Sequence, residues 1–299
     1  MNLKNITIGI LLIIATCLGF LPSVKAESLS GIANWARLAR VGGFDVDPEM
    51  SDQEVSTLMD IRKSENVSVL EVDSGLSSYM TDEEFQTQLT FFNNIAGMAS
   101  NKNMRTVIYY PSLEVTTKNG ENIAQTMYKE HPEWIQRGID GTPNVFYGSQ
   151  EVWVEPGMES AWMSPNTSYR EYYTNRIRQL AVTCLDGVWV DVPIYLGTGT
   201  PWAGAEPAAA AAFNSWSKSQ GQGGNDGYQV PTAVNWTDPA FRSWIRWRHE
   251  NLADFVNAVR QAAHEVNPDF MVIIENFPAD YMDATEAGLD GTYRRSNKN

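Results

Sequence analysis

The stretch Leu185-Asp186-Gly187-Val188-Trp189-Val190-Asp191-Val192-Pro193-Ile194-Tyr195 decides how the rest of the chain is read. Asp186-Gly187 is a turn signal that feeds a short apolar run, and the run stops at a carboxylate followed two places later by a proline. A strand that is apolar on both faces suits the inner wall of an α/β barrel. Asp191, at its C-terminal end, then sits where such barrels carry their chemistry. Asp191 is the first candidate for catalysis; the plainer alternative is that it caps the loop after the strand.

Outward from this stretch, helices alternate with apolar strands. Ser51-x-x-Glu54 and Thr81-x-x-Glu84 read as capping boxes, the first with Val55, Leu58 and Met59 inward and the second with Phe85, Leu89, Phe92 and Ala96 on one stripe. Ser168-x-x-Glu171 reads as a third, with Tyr169, Tyr173, Ile177 and Leu180 on one face. Strands are expected at residues 34–41, 67–72, 106–110 and 270–274, and a further one near Leu289. Alternation of this kind implies a parallel sheet with right-handed crossovers, and the acids Asp73, Glu114 and Asp191 at strand ends favour a barrel over an open sheet. The expected fold class is α/β, a (β/α)8 barrel of the TIM type. About six βα units are visible where eight are needed, so either two strands escape the count or the barrel is incomplete toward the C-terminus.

Residues 111–165 show little periodicity beyond a helix near 122–130 and a turn at Asp140-Gly141-Thr142-Pro143. A loop of that length is usually functional, and it is expected to wall one side of a cleft. Trp134, Trp153 and Trp162 are candidates for stacking on sugar rings, each weighed evenly against simple burial. Residues 220–227, rich in glycine without a phosphate-loop spacing, read as a mobile surface loop. Cys184, at a helix-to-strand junction, is expected to be a small core residue.

Residues 1–26 read as a secretory signal peptide: Lys4 precedes an apolar run, and Val24-Lys25-Ala26 offers small residues for cleavage before Glu27, after which no stable membrane insertion is expected. The alternative is a retained membrane anchor, since the run is nearly long enough to span. The segment carries two lysines and no acids, so its removal takes the formal charge from −14 to −16. Nucleic acid is a poor partner for such a chain, and no basic patch points to a membrane surface. Ten tryptophans and twelve tyrosines on an acidic chain suit a secreted or periplasmic protein that handles neutral ligands. Residues 27–299 are read as one domain, a length matching the roughly 250 residues of an α/β barrel. His131, His249 and His264 have no metal-ligand spacing and no Gly-x-Ser-x-Gly elbow is present, so neither a metal site nor an α/β-hydrolase is expected, and no cofactor is implied.

The run Ser164-Pro165-Asn166, Tyr169-Arg170-Glu171-Tyr172 and then Asp186 to Pro193 resembles the segment around the fourth strand in glycoside hydrolases related to α-L-fucosidases and to the β-galactosidase-like barrels. His131-Pro132-Glu133-Trp134, with Asp140-Gly141 soon after, is a second element of that resemblance, which covers mainly residues 131–195. It implies a TIM-barrel enzyme cleaving O-glycosidic bonds in an oligo- or polysaccharide through two carboxyl groups, one attacking and one delivering a proton. A retaining mechanism follows from the resemblance and from no spacing in the sequence. An aspartate ending the fourth strand and a glutamate ending the fifth is the α-amylase-like arrangement, which makes Asp191 the nucleophile and Glu275 the acid/base. Fucosidase-like enzymes place the acid further along, where Asp290 stands. Candidate substrate-binding residues are Asp73, Glu114, Trp134, Trp162, Trp189, Trp202, Asn276 and Asp290. The alternative is a non-catalytic carbohydrate-binding protein on the same scaffold.

Overall fold

The computed structural model describes residues 34–274 apart from positions 74, 149 and 198, so the expected leader and the strand near Leu289 lie outside the described residues. The chain runs β1 (Val41–Gly43), α1 (Asp52–Ser64), β2 (Val69–Val72), α2 (Asp82–Asn101), β3 (Arg105–Tyr109), β4 (Glu114–Thr117), α3 (Met127–Glu130), β5 (Val145–Tyr147) and β6 (Glu159–Trp162). It continues through α4 (Tyr169–Val182), β7 (Gly187–Val190), α5 (Pro207–Ser219), α6 (Pro239–His264) and β8 (Met271–Ile274).

Five strands form one parallel sheet in the order β1-β2-β3-β7-β8. The order never reverses. Right-handed crossovers that always add the next strand on the same side put the crossover helices on one face, and α1, α2, α4 and α6 do pack against the same face of the sheet, as in a singly wound barrel and unlike a doubly wound open sheet. The outer face carries Ile108, Tyr110, Val188 and Val190, all buried. They pack under Phe85, Leu89, Phe92 and Ala96 of α2, Tyr173, Ile177 and Leu180 of α4, and Phe255 and Val259 of α6. Each such side chain removed from water contributes about 1.5–3 kcal/mol. Cys184 packs against the same core. Among the described residues the sheet has five strands and is not closed into an eight-stranded barrel. Ile273, on the opposite, inner face of β8, is 37% exposed.

The capping boxes at Ser51 and Thr81 form as expected, each with the N3 glutamate returning a hydrogen bond to the cap backbone. Ser168 does not cap α4. Its backbone is already helical and its side chain makes no cap hydrogen bond; one residue earlier, Thr167 Oγ1 accepts from the Tyr169 N–H at 3.3 Å. Residues 34–41, expected as a strand, are a short 3-10 helix, Asn34–Leu38, followed by β1.

Residues 111–165 depart furthest from the expected course. They are not a loop but a second, antiparallel sheet in the order β4-β6-β5, inserted between β3 and α4, and the helix expected near 122–130 shrinks to α3. These strands have three or four residues each, too short for a period of two to stand out in the sequence. Glu114 therefore begins a strand of the inserted sheet rather than ending a strand of the parallel one. Residues 220–227 are mostly exposed, as expected of a surface loop, and the chain at their C-terminal end is hydrogen-bonded back to α5. The Tyr228 N–H donates to Ser217 Oγ at 2.8 Å, and Asn214 Nδ2 donates to the carbonyls of Asp226 and Tyr228.

Candidate active site

Strand register determines which side chains share the inner face. Tyr109 pairs with Trp189, Trp189 with Ile273, and Glu71 with Gly43 and Val107, so with alternation of side chains Glu71, Tyr109, Trp189 and Asp191 all lie on the face away from the helices. The rings of Tyr109 and Trp189 meet edge to face, 5.8 Å apart at 89°.

Asp191 follows β7 directly and is 8% exposed. Its Oδ2 accepts the Tyr109 hydroxyl, and its Oδ1 accepts the N–H of Val192 at 2.6 Å. Its backbone carbonyl accepts both the N–H and the hydroxyl of Ser112, each at 2.8 Å. Main chain and side chain are thus fixed by separate partners on the β3 side. Val192 has a φ of 46°, a conformation that costs a β-branched residue on the order of 1–3 kcal/mol. Two contacts hold it there: its N–H is taken by Asp191, and its side chain packs with Phe146, Val154 and Trp162 of the inserted sheet. The loop beyond is tethered to the same sheet, since Gln136 Nε2 donates to the Ile194 carbonyl and Asn144 Nδ2 to that of Leu196, both at 3.0 Å.

The inserted sheet brings Glu114 to this region. Glu114 Oε1 accepts the Ser160 hydroxyl at 2.6 Å and the Trp153 indole N–H at 2.8 Å. Burial pushes its carboxyl above the usual carboxylate range, and the negative charge of Asp191 adds to that. The hydrogen bonds from Ser160 and Trp153 oppose it. Trp162 is 1% exposed, and its indole donates to Ser160 Oγ at 3.1 Å. Trp162 therefore supports Glu114 through Ser160 and presents no face to a ligand.

The other expected residues fall elsewhere. Trp134 has His131 stacked on it at 3.7 Å and packs against Tyr169 and Tyr172, so protein covers its ring. Trp202 belongs to a separate cluster with Trp236 and Phe241 beside α5 and α6. Asp73 follows β2 and is exposed; with Asp45 its charge raises Glu71, an effect second to burial. Glu275, Asn276 and Asp290 lie outside the described residues. Val190 nevertheless pairs with Ile274, the residues immediately before Asp191 and Glu275.

Sequence reasoning overlooked Tyr109, Ser112, Ser160 and Val192. Tyr109 was accessible from alternation with Val107; Ser160 and Val192 depend on the inserted sheet, and Ser112 on the contact between the ends of β3 and β7. Glu206 was also overlooked. It is 2% exposed, accepting the Ser164 hydroxyl and the Arg137 N–H, and burial raises its carboxyl. Among the described residues no group of three or more His, Cys, Asp or Glu side chains could hold a metal ion, and no helix is long and apolar enough to cross a membrane.

No protein-family model matches the chain, and no curated protein does. Solved structures do. A β-galactosidase from the Antarctic haloarchaeon Halorubrum lacusprofundi is similar over 83% of this chain and 38% of its own, with 14% identity and a TM-score of 0.57. A β-galactosidase from the psychrophilic Marinomonas ef1 is similar over 79% and 37%, with 11% identity and a TM-score of 0.55. A catalytic mutant of a β-galactosidase from G. stearothermophilus is similar over 81% and 36%, with 17% identity and a TM-score of 0.52. The chain spans less than half the length of these enzymes. At such identities the likeness is one of fold: the chain is a mixed α/β protein built on a parallel sheet, similar to glycoside hydrolases over about four fifths of its length.

Proposed function

We propose that the protein is a glycoside hydrolase acting on an oligo- or polysaccharide, with Asp191 as nucleophile and Glu275 as acid/base in a retaining mechanism. The observation that carries this is the setting of Asp191: a nearly buried carboxylate at the C-terminal end of an inner strand, held by the Tyr109 hydroxyl and the Val192 N–H. Catalytic groups occupy that end of the strands in barrels of this kind. The likeness in fold to β-galactosidases supports the reaction class.

In this reading an Asp191 oxygen attacks the anomeric carbon as the glycosidic C–O bond breaks. The bonding pair goes to the leaving oxygen, which takes the proton of Glu275. Water then attacks the glycosyl-enzyme ester, giving its proton to Glu275 and releasing Asp191. The step requires the two carboxyl groups about 5–5.5 Å apart. The domain of residues 27–299 acts after export, with residues 1–26 as the leader; N-terminal sequencing of secreted material should begin at Glu27, and Met1 on such material overturns that part.

The reaction is tested on 4-nitrophenyl glycosides, among them the β-D-galactoside and the α-L-fucoside. Hydrolysis by the wild type that Asp191→Asn abolishes is the expected result. Hydrolysis that survives Asp191→Asn at near wild-type rate removes Asp191 as nucleophile.

A further inference from the structure

Three features of the inserted sheet meet at one carboxyl group. An indole nitrogen can only donate, so the bond between Trp162 Nε1 and Ser160 Oγ makes the serine oxygen an acceptor there. The serine hydroxyl hydrogen is then committed to Glu114 Oε1, at 2.6 Å. Trp153 Nε1, again only a donor, fills the second acceptor direction of the same oxygen at 2.8 Å. Oε1 is saturated, and among the described residues Oε2 has no hydrogen-bond partner.

Trp153 is placed with equal economy. Val154, beside it, is 3% exposed and anchors the turn in the cluster with Phe146, Trp162 and Val192. Trp153 itself is 45% exposed although its only polar atom is bonded to a half-buried carboxyl. A ring held at one edge and open across much of its surface is preorganised for stacking, because a ligand need not freeze it first. Val192, whose backbone binds Asp191, packs against the same cluster, so this arrangement borders the Asp191 carboxylate.

We propose that Glu114 and Trp153 form a sugar subsite beside Asp191, in which the locked indole stacks on the apolar face of a pyranose ring and Glu114 Oε2 bonds one of its hydroxyls. This rests on the glycosidase reading for the ligand class and adds residues that the two-carboxylate chemistry does not use. A subsite here holds the sugar by a ring face and one hydroxyl, and so selects among epimers.

The test uses the full chain carrying Asp191→Asn, which retains ligand without turnover. Binding is measured by saturation-transfer NMR against methyl α- and β-pyranosides of galactose, glucose, mannose, xylose and L-fucose. For the best ligand, Trp153→Ala should weaken affinity about tenfold or more and Glu114→Gln about tenfold. Glutamine keeps a carbonyl for Ser160 and Trp153 and changes only the Oε2 position, so its effect reports the ligand contact and not the lock. Trp153→Phe, which retains a ring, should lose less than Trp153→Ala. Trp236→Ala, an equally exposed tryptophan in the α5 and α6 cluster, should lose nothing. Affinities unchanged within about twofold in both Glu114→Gln and Trp153→Ala overturn the subsite, as does absence of binding across the panel. If the affinity losses occur but the wild type hydrolyses none of the corresponding 4-nitrophenyl glycosides, the subsite stands and the hydrolase reading fails. Hydrolysis with unchanged affinities gives the reverse.

Discussion

The hydroxyl of Tyr109, the last residue of β3, donates a hydrogen bond to Oδ2 of Asp191, the first residue after β7. The two strands are parallel neighbours, with Tyr109 paired to Trp189, so the contact crosses one strand spacing at the mouth of the sheet. Tyr109→Phe removes the donor and leaves the ring against Trp189. Turnover should fall about tenfold, while stability changes by about 1 kcal/mol. Asp191→Asn should cost on the order of 10³-fold or more, because the attacking charge is lost. Comparing kcat and melting temperature in the two variants checks the order; a larger kcat loss in Tyr109→Phe than in Asp191→Asn contradicts it.

Glu275→Gln is expected to discriminate between leaving groups. Unactivated glycosides need a proton on the departing oxygen and should slow by about 10²–10⁴-fold, whereas activated aryl glycosides should slow far less. A uniform loss across both substrate types would move the acid role to Asp290.

Val192 stores strain next to the proposed nucleophile. Val192→Gly relieves about 1–3 kcal/mol of backbone cost and forfeits part of the roughly 1.5–3 kcal/mol that a fully buried valine contributes, so stability should change little. Activity should nevertheless drop, because a glycine no longer pins the N–H that holds Asp191 Oδ1. An unfolding curve within about 1 kcal/mol of wild type together with reduced kcat is the expected pair; unchanged kcat would show that the strain has no part in orienting Asp191.

The turn after α5 has a steric reason for its glycines. Gly227 has a φ of 67°, and a Cβ there would stand 2.9 Å from the Asn214 carbonyl oxygen. Gly227→Ala should destabilise by about 1–3 kcal/mol, read in urea unfolding as a lower midpoint with unchanged slope. A neutral result would mean that the turn is loosely held.

Stability should be greater in mild acid than at neutral pH. Burial is the leading cause raising the carboxyls of Glu71, Glu114, Asp186 and Glu206. In each, the folded state keeps its proton to higher pH than the unfolded chain, whose glutamates titrate at about 4.5 and aspartates at about 3.8. Their contribution is complete below those values and is lost as pH rises through the folded ones. Glu54 and Glu84, lowered chiefly by their capping hydrogen bonds, act in the opposite sense, but only as pH falls below the unfolded value. The melting temperature should therefore be higher at pH 5 than at pH 7.5, and Glu206→Gln should narrow the difference. A melting temperature that rises toward pH 7.5 would contradict the assignment.

The sequence by itself determined what depends on neighbours along the chain. The capping hydroxyls at Ser51 and Thr81, the apolar stripe of Phe85, Leu89 and Phe92, and the run closing at Asp191 are local patterns, and the parallel sheet follows from their alternation. Ser168 shows the limit of such reading: its motif is complete, yet its backbone is already helical and the side chain bonded at the helix start is that of Thr167. Only the tertiary structure could decide that residues 111–165 form a sheet, because three- and four-residue strands gain their stability from partners far along the chain. It alone places Tyr109 on Asp191, 82 positions away, and Trp153 on Glu114, 39 away. A carboxylate's chemistry is set by what surrounds it in space, and no spacing along the chain encodes which donors those will be.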